Sequence, residues 1–202
     1  MAVSTLEMSL PVATSDQSWP EQGEWTYEDY LRLPDDGRRY EIIGGVLYVA
    51  NAPSYDHQFA AAEILRRIAN FVIPNKLGVV ISAPFEVHLP GIAKPVQPNV
   101  LFIAADKLPN PGIQMFTGAP ALIVEVLSPS SLRRDQHIKF GAYEQAGVRE
   151  YWIADPKTRS VIVYTLPEDG QAYLLLGQFT AGEIVRSNVL AGLEIAVDGL
   201  FL

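Results

Sequence analysis

Glu125 sits inside the apolar run PALIVEVLSP, and Lys139 follows fourteen residues later in RRDQHIKFGAYEQ. Burying an unpaired carboxylate costs several kcal/mol, so Glu125 needs a cation, a metal or strong hydrogen bonds as its partner. Twenty-six residues upstream of Glu125, the run PVQPNVLFIAAD carries Asn99 in a similar position. Carboxylate and amide oxygens are hard ligands, and Mg2+ or Mn2+ commonly takes only one or two protein carboxylates while keeping several waters. A lysine turned back toward such a site would offset the carboxylate, orient an attacking water and stabilise negative charge on a phosphate in the transition state. Each residue also has a plainer reading. Glu125 at a strand end can reach solvent or pair with an arginine, and Lys139 can be solvated and paired with Asp135 at i−4 on an exposed helix face. Glu41 is either an extra ligand or a surface strand residue. His57 is either a catalytic or substrate-contacting group or a satisfied core or capping histidine.

The elements that must position these groups can be read from periodicity. A short helix is expected around Tyr27 to Leu33, and YEIIGGVLYVA reads as two strands joined through Gly44-Gly45, a dipeptide suited to a tight hairpin. Ser54 caps a helix whose apolar stripe runs through Ala61, Ile64, Ile68 and Phe71 and which Pro74 ends, with His57 in its first turn. The β-rich runs GVVISAPFEVHLPG, PVQPNVLFIAAD and PALIVEVLSP are expected to be central strands. Period-two alternation in the last of them puts Ala121, Ile123, Glu125 and Leu127 on one face. Ser130 or Ser131 caps a second helix that ends at Gly147 and carries Asp135, Lys139 and Tyr143 at i, i+4 and i+8, so one helical face bears acid, base and phenol. Strands then follow from EYWIADP to the C-terminus. The fold class this implies is α/β, a mixed β-sheet flanked by helices on both sides. Residues 1–22, rich in Ser, Thr, Pro and Gln without periodicity, read as a flexible tail, and residues 23–202 as one domain.

Composition narrows the chemistry. The 202 residues include no cysteine, which removes disulfides, thiolate catalysis and cysteine metal sites and leaves carboxylate, His and Lys chemistry. A net charge of -8 argues against coating nucleic acid by bulk electrostatics but suits divalent cations. The base pairs Arg38/Arg39, Arg66/Arg67 and Arg133/Arg134 could still line a local groove, or be solvated surface. No apolar run approaches the roughly 20 residues of a membrane span, and the N-terminus has neither a basic start nor an apolar signal core, so a cytoplasmic protein without membrane contact is expected.

The segments RRYEIIGGVLYVANAPSYDHQ, VQPNVLFI, PALIVEVLSPSS and RRDQHIKFGAYEQAGVREYWIADP resemble the Uma-two family of endonucleases, part of the PD-(D/E)XK nuclease superfamily and abundant in cyanobacteria. The ordered combination of EVLSPSS, a lysine on the next helix and GVREYWIADP carries the resemblance. It implies a restriction-endonuclease-like core and Mg2+-dependent cleavage of DNA phosphodiesters. By this resemblance Glu125 takes the place of the acid in the (D/E)XK element and Glu41 that of the upstream acid. Position 127 is Leu where the superfamily pattern has Lys, and Lys139 matches a lysine displaced to the following helix. The chain departs from the family at Pro98-Asn99, where the family has Pro-Asp. A neutral amide there offers a carbonyl oxygen without the charge, which weakens a hard-cation site.

Three functions are open on these residues. One is a nuclease with Glu125 and Asn99 as metal ligands and Lys139, Glu41 and His57 as catalytic groups. Another is a catalytically degenerate nuclease-fold module that binds nucleic acid or a protein. The last is a structural or regulatory homodimer formed through the apolar C-terminal strands.

Overall fold

The computed structural model of the chain describes residues 18–129 and 131–202. Helix α1 spans Tyr27–Tyr30, shorter than the pattern suggested, and is closed by a capping box in which Thr26 and Asp29 satisfy each other's backbone N–H groups. Strands β1 (Arg39–Ile43) and β2 (Val46–Ala50) form the expected antiparallel hairpin. Both turn residues, Gly44 and Gly45, have positive φ, a conformation L side chains rarely adopt. Helix α2 (Tyr55–Val72) starts at Ser54, whose hydroxyl accepts from His57 N–H. Its buried stripe is Ala60, Ile64, Ile68 and Val72, with Ala61 and Phe71 at the margins, so the stripe is centred slightly to one side of the predicted one.

The remaining strands are β3 (Gly78–Ser82), β4 (Glu86–Leu89), β5 (Ala93–Val96), β6 (Val100–Ala104), β7 (Met115–Thr117), β8 (Leu122–Val126), β9 (Glu150–Asp155), β10 (Ser160–Thr165), β11 (Leu174–Phe179), β12 (Ile184–Arg186) and β13 (Glu194–Ala196). They divide among a five-stranded sheet of order β2-β1-β5-β4-β7, a six-stranded sheet of order β11-β10-β9-β8-β6-β3 and a small β12-β13 pair. The run GVVISAPFEVHLPG therefore splits between two sheets, and its first half, β3, is an edge strand rather than a central one. In the six-stranded sheet β8 pairs antiparallel with β6 and parallel with β9, which makes the sheet mixed.

The six-stranded sheet is the middle layer. One face packs Phe102, Leu122, Val124 and Trp152 against α2 and the C-terminal Val185, Leu190 and Ile195. The other packs Leu101, Ile103, Ile123 and Tyr151 against Ile43, Val87 and Val96 of the five-stranded sheet and against Ala142 and Tyr143 of α3 (Phe140–Ala146). Helices thus lie on both sides, as expected for the restriction-endonuclease-like class.

The helix expected from Ser130 or Ser131 enters differently. A π-helical segment, Arg134–Lys139, precedes α3, which ends at Gly147 with φ 82°. Ser130 lies outside the described residues, and Ser131 is buried, its hydroxyl accepting from Ser128 N–H at 3.0 Å. Residues 1–17 of the expected tail also lie outside the described residues. From Ser18 onward the chain touches the domain, since Trp19 stacks on Trp25 at 5.4 Å and the Gln22 side chain accepts from Leu47 N–H. Among the described residues no helix is long and apolar enough to cross a membrane.

Candidate active site

Glu125 points from the penultimate position of β8 toward the five-stranded sheet, where Glu41 points back from the middle of β1. Lys139 bridges them from the end of the π-helical segment. Its Nζ lies 2.8 Å from Glu41 Oε1 and 2.8 Å from Glu125 Oε1. All three residues are 2–3% exposed. The expectation of a solvated Lys139 and Asp135 on an exposed helix face is overturned: Asp135 is also buried, with Oδ1 3.9 Å from the same ammonium. The wider turn of the π-helix, which is frequent at functional sites, carries both residues in toward the sheets.

The carboxylates are held on several sides. Gln97 N–H donates to Glu41 Oε1 at 2.7 Å, and Tyr143 OH donates to Glu125 Oε1 at 2.7 Å. Arg134 Nε stands 3.8 Å from Glu41 Oε2. Tyr151 OH, from β9, donates to the backbone carbonyl of Asp135 and fixes the segment against the sheet. Glu125 Oε2 has no hydrogen-bond partner among the described residues.

These surroundings set the charges. Burial alone would raise the Glu41 carboxyl, but Lys139 and Arg134 outweigh it and hold it below the ordinary value. Burial works against the Lys139 ammonium, and Glu125 and Glu41 overcome it, so Lys139 stays protonated and acts as a donor rather than a base. Burial pushes Asp135 up to about 7 against the pull of Lys139. Burial and nearby Arg39 lower His57, leaving a neutral imidazole near pH 7.

Glu41, Asn99, Glu125, Lys139 and His57 all line one cavity of about 310 Å3, together with Arg39, Gln97, Arg134 and Asp135. The structure therefore brings together the five candidate site residues on one cavity wall. His57 forms part of the wall in the first turn of α2, and its Nδ1 is buried without a hydrogen-bond partner. Asn99 stands one residue before β6. Its Oδ1 accepts from Val126 N–H at 2.8 Å, which extends the β6-β8 ladder by one side-chain bond. That bond fixes the amide orientation, and the NH2 group has no partner among the described residues. Of the arginine pairs, Arg39 and Arg134 face the cavity, whereas Arg38 pairs with Asp36 and Arg66 and Arg67 pair with Glu63.

The pair Glu41 and Glu125 fits a hard divalent cation in the chemistry of its donors, since each carboxylate has an oxygen that no hydrogen bond occupies. Among the described residues no group of three or more His, Cys, Asp or Glu side chains is arranged to hold a metal ion. An ion held here would need water or a substrate oxygen to complete its shell. Sequence reasoning missed Gln97, which acts through its backbone N–H, and Arg39 as a cavity residue distinct from its neighbour.

A family model described as "Uma2: Putative restriction endonuclease" matches residues 27–198. Among solved structures the chain is similar to one titled as a putative nuclease belonging to DUF820 from Anabaena variabilis. The two share 20% identity, the match covers 87% of this chain and 97% of that one, and the TM-score is 0.71, which shows a common fold. No curated protein matches the sequence.

Proposed function

The chain belongs to the Uma2 family of restriction-endonuclease-like proteins, and from that premise we propose that it is a Mg2+- or Mn2+-dependent endonuclease hydrolysing DNA phosphodiester bonds. The observation that carries the proposal is the buried Glu41–Lys139–Glu125 bridge on the wall of a cavity. A protein stabilised for its own sake gains little from burying two acids and a base together, because desolvation offsets most of their attraction. Such an arrangement is favourable when the acids have another cation to hold.

In this reading Glu41 and Glu125 hold the divalent ion, with the Asn99 carbonyl oxygen as a weaker third ligand through its remaining lone pair. The bound ion would neutralise charge developing on the phosphate. Lys139, protonated at every working pH, donates toward the attacking water or the phosphate oxygens. Asp135, raised to about 7 and close to Lys139, is the nearest group able to take a proton from water at neutral pH. His57, whose imidazole is neutral near pH 7, is a second acceptor on the same wall. A homodimer through the free edge of β11, where Leu174, Leu175 and Leu176 are exposed, and a cytoplasmic location belong to the same proposal.

A second reading is favoured by Asn99. An amide in place of a carboxylate leaves the site one charge short, which suits a module that binds nucleic acid without cutting it. Cleavage of supercoiled plasmid and of single-stranded circles by wild type, Asn99→Asp and the Asn99→Asp/Glu125→Gln pair decides between them. The nuclease reading expects metal-dependent cleavage by the first two and none by the pair. Absence of cleavage by wild type and Asn99→Asp at any metal concentration leaves the binding module.

A further inference from the structure

A second cavity, about 390 Å3, adjoins the first and shares Arg39, Pro53 and Asn99 with it. Its own lining is short and mostly apolar: Ala61, Ala62 and Leu65 on α2, Ala83 and Pro84 after β3, with Gln58 and Ser82 as polar points. The volume falls in the range of about 300–1,000 Å3 typical of small-ligand sites. Two polar groups on the shared wall lack partners. The partly buried Arg39 has no hydrogen bond or ion pair from its guanidinium among the described residues, and the Asn99 NH2 group is equally unengaged. The other arginine on the first cavity's wall, Arg134, has its Nε 3.8 Å from Glu41 and 3.8 Å from Asp135. An unpaired guanidinium between two cavities is a fork of donors shaped for a phosphate.

We infer that the second cavity receives an unpaired nucleobase, with Arg39 gripping the phosphate that links this nucleotide to the scissile position. The inference rests on the proposed nuclease reading and names its substrate class: a strand presented single-stranded at the site. A base stacked in a duplex cannot enter a cavity walled by a helix and a turn, whereas an unstacked base presents its flat faces to apolar walls and its edge to amide donors. Small side chains on α2 leave room for the ring, and Gln58 and Asn99 sit where its polar edge can be read. The absence of aromatic residues from this lining favours contact without strong stacking, hence weak base preference.

The test measures binding separately from cleavage. Fluorescein-labelled single-stranded 12-mers, their duplexes and single-stranded 12-mers with one abasic position are titrated by anisotropy with full-length protein in EDTA. Variants are Ala62→Leu, which projects a larger side chain into the second cavity from an exposed, helix-compatible position, and Arg39→Gln. Wild type is expected to bind the single strand at least tenfold more tightly than the duplex and to lose about tenfold at one abasic position. Ala62→Leu should abolish that abasic sensitivity. Arg39→Gln should lower the salt dependence by about one phosphate contact, a slope change of roughly 0.7. Thermal melts confirm that both variants fold. Equal affinity for duplex and single strand, no binding of either, or an Ala62→Leu protein that keeps the abasic sensitivity overturns the subsite. Failure of the nuclease reading looks different: the binding pattern holds in full, and no metal supports cleavage of the bound strand.

Discussion

Two fully buried glutamates lie on neighbouring strands of the six-stranded sheet and face opposite ways. Glu150, at the start of β9, accepts from Trp152 Nε1 at 2.6 Å, Asn188 N–H at 2.7 Å and Val189 N–H at 3.1 Å. Its donors are neutral, and the two backbone ones tie the segment before β13 to the sheet. Burial raises its carboxyl, and the donors from Ser187, Trp152 and the backbone only partly oppose this. Glu125, on β8, is held instead by a lysine and a tyrosine, keeps one oxygen free, and borders a cavity. On the proposed reading, the difference is what separates a structural buried acid from one able to hold a cation. Neutral donors hold one carboxylate, whereas an ammonium balances the charge of the other and leaves one of its oxygens free.

That comparison can be broken or sharpened by substitution. The largest effect is expected from Lys139→Met, which leaves Glu41 and Glu125 buried without their cation and should cost about 3–5 kcal/mol in urea unfolding. Added Mg2+ should recover part of the loss. A change below about 1 kcal/mol would mean that the bridge is not what keeps the acids charged. Glu150→Gln keeps the shape and one acceptor oxygen, so a loss of about 1–2 kcal/mol relative to wild type is expected, the same with and without Mg2+.

Asp135 gives a pH test. Its folded value, about 7, exceeds the ordinary 3.8, so the folded state holds a proton that the unfolded chain releases between those values. Its contribution is full below about 4 and is lost as pH rises through 7. Asp135→Asn should flatten that decline and gain on the order of 1–2 kcal/mol at pH 8, read from unfolding curves across pH. An unchanged pH profile would place the proton elsewhere. The smallest effect on the metal-free fold is expected from Asn99→Asp. One oxygen can keep the Val126 N–H bond while the other takes the place of the NH2 group, so the melting temperature should move little without metal and rise more than wild type with it.

Much of the site was legible because its signals are local. Strand alternation fixed the face of Glu125, and the i, i+4, i+8 spacing of Asp135, Lys139 and Tyr143 put three partners on one surface even though part of it is π-helical. For Glu41 the residues left ligand and surface acid level, and only the resemblance favoured the first, since nothing within RYEII distinguishes a bridging acid from a surface one. The division of the strands between two sheets was not legible, because only tertiary pairing sends β3 and β4 to different sheets. Glu150 also passed unnoticed. Two of its donors are backbone N–H groups 38 and 39 positions away, which leave no mark in side-chain chemistry.

The central claim is that Glu41 and Glu125, and not Glu150, form a cation-holding site. Thermal melting of wild type, Glu41→Gln, Glu125→Gln and Glu150→Gln across a Mg2+ titration tests it directly, since a ligand that binds only the folded state raises its melting temperature. The account predicts a Mg2+-dependent rise in wild type and Glu150→Gln that is lost in Glu41→Gln and Glu125→Gln. A rise that survives in Glu125→Gln, or none in wild type, would contradict it.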